Sequence, residues 1–248
     1  MHLPVARAHR AVLAALAFGV APLCGTTALA QAAAKPAAAS VKDLPLEEVE
    51  ATGSTPYFAI FFTGDGNFAE LDKGVSGELT SRGIPVVAFN QRSYLYNGKT
   101  PDQTGADLAR IMAWYREHWK RDTVVVIGYS RGAGTAPFAV NRLPPAQRGA
   151  VKAVALIGPE MTAGFKFRWR DLLSNKPAPD ELPMMPELQR LGLPALCVFG
   201  SAERDTPCRE VSAPWVPIKI IGDHYFDDEY QTIGRRIAQF VLTDLARK

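Results

Sequence analysis

Thr123-Val-Val-Val-Ile-Gly-Tyr-Ser130-Arg-Gly-Ala-Gly-Thr135 decides the fold. The β-branched run predicts a buried strand, and the small-residue run that continues to Val140 predicts a helix. Between them lies Gly128-Tyr129-Ser130-Arg131-Gly132, a G-x-S-x-G with a strand before it and a helix after it. That is the setting of a nucleophile elbow, a strained turn that projects the serine hydroxyl above the sheet. The two glycines let strand and helix approach closely around the turn. Ser130 is therefore the candidate nucleophile.

A serine nucleophile needs a base, and the chain has four histidines. His2 and His9 lie in a segment expected to be removed. His118 sits at the charged end of an amphipathic helix, where a solvated histidine is the default. His224 follows the apolar run 216–221 in Gly222-Asp-His-Tyr-Phe226, a strand-end loop late in the chain. The order Ser, then acid, then His is that of an α/β-hydrolase. The acid belongs after the penultimate strand, Pro194-Ala-Leu-Cys-Val-Phe-Gly200. The spacing G-x4-D selects Asp205, with Glu203 as the alternative. Its task is to fix the imidazole tautomer and stabilise the imidazolium.

The chain has 248 residues, 47% of them hydrophobic, which suits one globular domain. Residues 1–30 read as a secretory signal peptide: Arg7 and Arg10, an apolar run over 11–20, and Ala28-Leu29-Ala30 before the cleavage point. Its apolar run is too short to span a bilayer. Loss of those two arginines leaves 26 basic against 25 acidic residues, a net charge of about +1. Nothing in that balance suggests nucleic-acid binding. The mature chain is expected to be soluble and periplasmic. In that compartment Cys197 and Cys208 are expected to form a disulfide holding the acid-bearing loop. No Cys/His cluster suggests a metal, no cofactor motif is present, and nothing sets an oligomeric state.

Residues 31–43 read as a disordered Ala/Pro-rich tether, and 44–248 as the folded domain. Strands are expected at 57–62, 84–89, 124–127, 151–157, 194–200 and 216–221, with an edge strand at 44–50. Helices are expected at about 68–82, 104–119 and 228–246. The alternation implies an α/β-hydrolase fold, a mostly parallel sheet flanked by helices. Residues 164–170 alternate apolar and basic side chains. Phe165, Phe167 and Trp169, with Met184 and Met185, either make a basic, apolar edge against lipid or bury one face of a hairpin. Residues 175–187 are Pro-rich and read as irregular. The oxyanion hole is expected from the N–H of Arg131 and from the glycine-rich turn Gly64-Asp65-Gly66-Asn67, with Asp65 and Gly66 as donors.

Several spaced stretches together resemble the VirJ/AcvB family of exported bacterial α/β-hydrolase-like proteins. They are Gly64-Asp65-Gly66, Tyr94-Leu-Tyr96, Thr100-Pro-Asp-Gln-Thr-Gly-Ala-Asp-Leu108, the elbow, Asn141-Arg-Leu-Pro144, Cys197-Val-Phe-Gly200 with Asp205 and Cys208, and Gly222-Asp-His-Tyr-Phe-Asp227. The resemblance covers about residues 44–247. It implies hydrolysis of aminoacyl-phosphatidylglycerol, with a lysyl or alanyl ester removed from a membrane phospholipid headgroup. It also implies Ser130 as nucleophile, Asp205 as acid and His224 as base. The family more often carries an aromatic residue at the position of Arg131 and a second glycine at that of Asn67. The α-amine of such a substrate is cationic, so Asp65 is a candidate to bind it or else braces its own turn. Arg131 is either a phosphate contact or a solvated side chain. Two other functions use the same residues differently: an esterase or peptidase for a soluble substrate, and a non-enzymatic virulence or conjugation accessory on a hydrolase scaffold.

Overall fold

A computed structural model describes residues 40–168 and 177–245. The expected signal peptide, residues 31–39 of the tether, and Trp169 lie outside them. The described chain forms a seven-stranded sheet of β1 (Leu46–Val49), β2 (Tyr57–Phe62), β3 (Val86–Phe89), β4 (Thr123–Tyr129), β5 (Val151–Ile157), β8 (Ala195–Gly200) and β9 (Trp215–Ile220). Its order is β1-β3-β2-β4-β5-β8-β9. Only the edge strand β1 runs antiparallel; the other pairs are parallel. Two-residue strands β6 (Thr162–Ala163) and β7 (Leu182–Pro183) pair separately.

Alternation within each strand builds two cores. Phe58, Ile60, Phe62, Val124 and Val126 face α3 (Pro101–Trp119) and α4 (Arg131–Asn141). Ala59, Phe61, Val125 and Ile127 face α1 (Glu70–Thr80) and α7 (Tyr230–Gln239). A strand buried on both faces has no polar side to alternate, so β2 and β4 read as continuous apolar runs. Each such side chain removed from water contributes roughly 1.5–3 kcal/mol.

The structure corrects several sequence boundaries. α3 begins at Pro101, three residues early, because Thr100 and Gln103 form a capping box. Thr100 Oγ1 accepts the Gln103 N–H at 3.1 Å and Gln103 Oε1 accepts the Thr100 N–H at 2.9 Å. Short helices α2 (Gln91–Tyr94) and α5 (Pro145–Arg148) were not expected. The Pro-rich stretch is partly ordered as β7 and α6 (Met185–Leu191), which Gly192 ends at φ 58°. Phe167 and Met184 are buried and Phe165 and Met185 pack on the core, so this segment buries its apolar face and does not offer these side chains as an edge to lipid.

Candidate active site

All the parallel strands end on one rim, where open α/β sheets place their sites. At the end of β4, Ser130 adopts φ 51° and ψ −116°, a left-handed backbone that costs strain in any residue with a Cβ. Its flanking glycines make the turn possible. A Cβ on Gly128 would lie 2.5 Å from the Gly132 carbonyl oxygen, and one on Gly132 would lie 2.0 Å from that of Phe62. No side chain fits either place.

His224 arrives from the loop after β9. Its Nε2 lies 2.9 Å from Ser130 Oγ and its Nδ1 lies 2.8 Å from Glu203 Oε1. The acid in contact is therefore Glu203, and the expectation of Asp205 is corrected. The reason is the turn after β8. The Glu203 N–H bonds back to the Gly200 carbonyl, and Glu203 Oε2 accepts the Gly200 N–H at 2.6 Å. The chain folds back at once, and the longer glutamate side chain spans to the imidazole. Asp205 is carried into solvent.

The loop beyond is pinned. Cys197 in β8 and Cys208 in the 3₁₀ turn Pro207–Arg209 are joined by a disulfide, with 5.3 Å between their Cα atoms. Thr206 Oγ1, buried, donates to the Pro159 carbonyl at 3.1 Å. Tyr129 lies against the imidazole with ring centroids 5.6 Å apart, and its hydroxyl reaches the His224 carbonyl at 3.4 Å. Burial opposes protonation of His224. The Glu203 hydrogen bond and charge outweigh it, Glu160 and Asp223 add to them, and the imidazole sits above its ordinary value. The other late histidine, His118, is exposed and stacks on Trp114.

β2 pairs with β4 so that Phe62 lies opposite Gly128. The turn after β2 therefore faces the elbow. A Cβ on Gly64 would stand 3.5 Å from Ser130 Cβ, whereas one on the exposed Gly66 would face Ala69 at 3.2 Å. The glycine brought against the serine is Gly64 and not Gly66. Arg131 opens α4, where the first N–H groups have no partner within the helix. Its side chain is neither solvated nor open to a phosphate. Arg131 Nε donates to Asp65 Oδ1 at 2.5 Å, and both side chains are largely buried. Asp65 is thus committed to Arg131, which corrects its assignment to a substrate amine.

A second carboxylate that feels the imidazole is the exposed Glu160, after β5, whose charge interacts with His224. Packing around it pushes its carboxyl up. His224 and Arg131 pull it down, while Glu181 and Asp65 push it further up. Beneath the glycine-rich turn lies Asp72 of α1, buried, with Oδ2 accepting the Ala69 N–H at 2.9 Å. Burial raises it to about 7 against the pull of the Ala69, Asp72 and Gly64 N–H groups. Neither Glu160 nor Asp72 carries a sequence signal; only the fold places them. Among the described residues no group of three or more His, Cys, Asp or Glu is placed to hold a metal ion.

Residues 56–245 match the model of the family described as "Bacterial virulence protein (VirJ)". The chain belongs to the VirJ family. Comparison with curated proteins finds no match. Among solved structures, this VirJ-family chain is similar to Est1E from Butyrivibrio proteoclasticus, at TM-score 0.56 and 15% identity over 84% of this chain and 98% of that one. It is similar to the esterase domain of a Rhodothermus marinus protein at TM-score 0.56 and 14% identity, covering 78% and 90%. It is also similar to XC6422 from Xanthomonas campestris, described as an α/β serine hydrolase without lid, at TM-score 0.52 and 17% identity, covering 78% and 85%. These likenesses establish that this VirJ-family protein has the α/β-hydrolase fold.

Proposed function

We propose that this protein is a serine esterase that removes the amino acid from aminoacyl-phosphatidylglycerol. The observation that carries the reading is the unbroken line Glu203–His224–Ser130, with both imidazole nitrogens engaged. In the first step Ser130 Oγ attacks the ester carbonyl carbon as its proton passes to His224 Nε2. Glu203 holds the imidazolium through Nδ1. The oxyanion is received by the N–H of Arg131 and by the turn at Gly64–Asp65. Collapse breaks the acyl–oxygen bond, and His224 returns the proton to the departing glycerol oxygen. Water, deprotonated by His224, then cleaves the acyl-serine and frees the amino acid. An aminoacyl ester is activated enough for this chemistry.

Two observations support an amphiphilic, cationic acyl substrate, and a third supports the compartment. Tyr96, Ile221 and Tyr225 are large side chains 60%, 78% and 68% exposed, and all stand on loops at the rim that carries Ser130. Glu160 lies beside His224, where an ammonium on the acyl group would meet it. The Cys197–Cys208 disulfide supports an oxidising compartment, as does the signal peptide expected over 1–30.

The test is release of free lysine or alanine from liposomes of the corresponding aminoacyl lipid, by wild type and Ser130→Ala. Release by wild type, falling by about 10⁴-fold or more in the variant, is expected. No release by well-folded, oxidised wild type rejects the lipid. Hydrolysis of soluble esters alone then points to a soluble substrate.

A further inference from the structure

A cavity of about 350 Å³ lies on the rim that carries Ser130, lined by Asn67, Arg92, Ser93, Tyr96, Asn97 and Phe167. We propose that it is the subsite for the phosphodiester on the alcohol side of the scissile ester, with Arg92 as the charge partner. This inference rests on the esterase reading above.

The cavity is linked to the catalytic centre through Asp65. Arg92 Nη1 donates to the Asp65 carbonyl at 3.4 Å, and the Asp65 carboxylate accepts from Arg131, the residue after Ser130. The guanidinium groups of Arg92 and Arg131 lie 5.2 and 5.9 Å from the centre of the buried Phe167 ring. A group in this cavity is therefore within a short linker of an ester held on Ser130.

The lining chemistry selects an anion. Among the described residues it offers one guanidinium, two carboxamides, one aliphatic hydroxyl and one phenol, and no carboxylate. A guanidinium steadied over an aromatic ring presents a planar fork of donors matched to phosphate oxygens. Asn67 Oδ1 accepts from Asn90 Nδ2 at 3.2 Å, which leaves its amide nitrogen as the donor end. Ser93 is exposed and its backbone N–H is already bonded to Asn90, so its hydroxyl is the group facing a ligand.

The sheet order adds polarity. The polar lining of the cavity stands on the segments after β2 and β3, with Phe167 reaching in from the segment after β5, whereas Glu160 stands directly after β5, across β4. A substrate with a cationic acyl end and an anionic alcohol end fits this arrangement in one direction only. The alternative role for Arg92, a brace for the glycine-rich turn, predicts no preference among substrates.

Two measurements test the subsite on the full chain. In the first, glycerophosphoglycerol and inorganic phosphate are titrated calorimetrically into Ser130→Ala, and into Ser130→Ala carrying Arg92→Ala or Asn97→Asp. The expected result is headgroup binding that weakens about tenfold or more in both double variants. No headgroup binding, equal binding by the double variants, or phosphate binding as tight as the headgroup overturns the assignment to a glycerol-linked phosphodiester. In the second, kcat/KM is measured on lysyl-phosphatidylglycerol and on a neutral lysine ester. The subsite predicts that both single variants lower the ratio of the two values about tenfold. An unchanged ratio, with both activities falling together, marks Arg92 as a brace and overturns the subsite while the esterase reading stands. If wild type cleaves neither ester, the esterase reading fails and the titration alone decides the subsite.

Discussion

The two halves of the sheet on either side of β4 hold their functional groups by different means. Toward β9 close backbone approach, a covalent link and side-chain-to-backbone bonds do the holding. A Cβ on Gly200 would lie 2.1 Å from the Asp223 carbonyl oxygen, one on Gly158 would lie 2.9 Å from His224 Cε1, and a disulfide closes the Glu203 loop. Toward β1 the holding is done by side chains: Asp65 with Arg131, Arg92 with the Asp65 carbonyl, Asn90 with Asn67. Backbone contacts leave no freedom to vary, whereas paired side chains can be exchanged one at a time. The Glu203–His224–Ser130 line is thus rigidly specified, and the surface toward β1 is adjustable.

The sharpest way to break this comparison is at the acid. Glu203→Gln is expected to lower kcat by about 10²–10⁴-fold, because the amide no longer stabilises the imidazolium. Asp205→Asn is expected to stay within about twofold, since Asp205 is exposed and outside the relay. Equal losses in the two variants would show that the loop rearranges in solution. Next comes the disulfide. Cys197→Ala with Cys208→Ala is expected to cost about 2–3 kcal/mol in denaturant unfolding. It is also expected to lower kcat more than it changes KM, because the freed segment carries the acid and not the recognition groups. A change confined to KM would reverse the comparison.

Asp72 tests the other half. Its folded pKa of about 7 exceeds the ordinary carboxylate value, so its neutral form favours the fold. That contribution is complete below about pH 4 and is lost as pH rises through about 7. Asp72→Asn keeps the bond to Ala69 and never ionises. Its stability relative to wild type is therefore expected to rise between pH 4 and pH 8, by on the order of 2–4 kcal/mol in denaturant midpoints. A pH-independent difference would sink this account.

The smallest effect is in the pH profile. His224 must be neutral to accept the serine proton, and its raised pKa places the acidic limb of kcat/KM above the ordinary 6.5. Glu203→Gln is expected to move that limb to lower pH. A limb that stays in place would assign it to another group.

The fold was legible because its central strands are buried on both faces. Tyr57–Phe62 and Thr123–Tyr129 have no reading other than core strands, and the glycine-serine turn after the second fixes where the sheet's functional rim lies. Ser130 was legible because it follows β4 at once, and His224 because its place after the last strand, downstream of the serine, matches the order Ser, acid, His. The acid was not. A spacing rule assumes a standard turn after β8, and the tight return at Gly200–Glu203 depends on a side-chain-to-backbone bond that spacing does not encode. Asp65 failed differently: its turn was placed, but its partner lies 66 residues along the chain. Glu160 and Asp72 matter only through what packs on them, which periodicity does not report.

Ser130 comes from the middle of the chain, and its base from the loop after β9, the strand at the far edge of the sheet. β9 is also the last strand laid down. A chain that has formed β1 through β8 already displays its serine, yet has nothing to activate it. Catalytic competence therefore requires that β9 has joined the sheet, and a fragment ending before residue 215 is expected to be inactive however well its remaining core were packed.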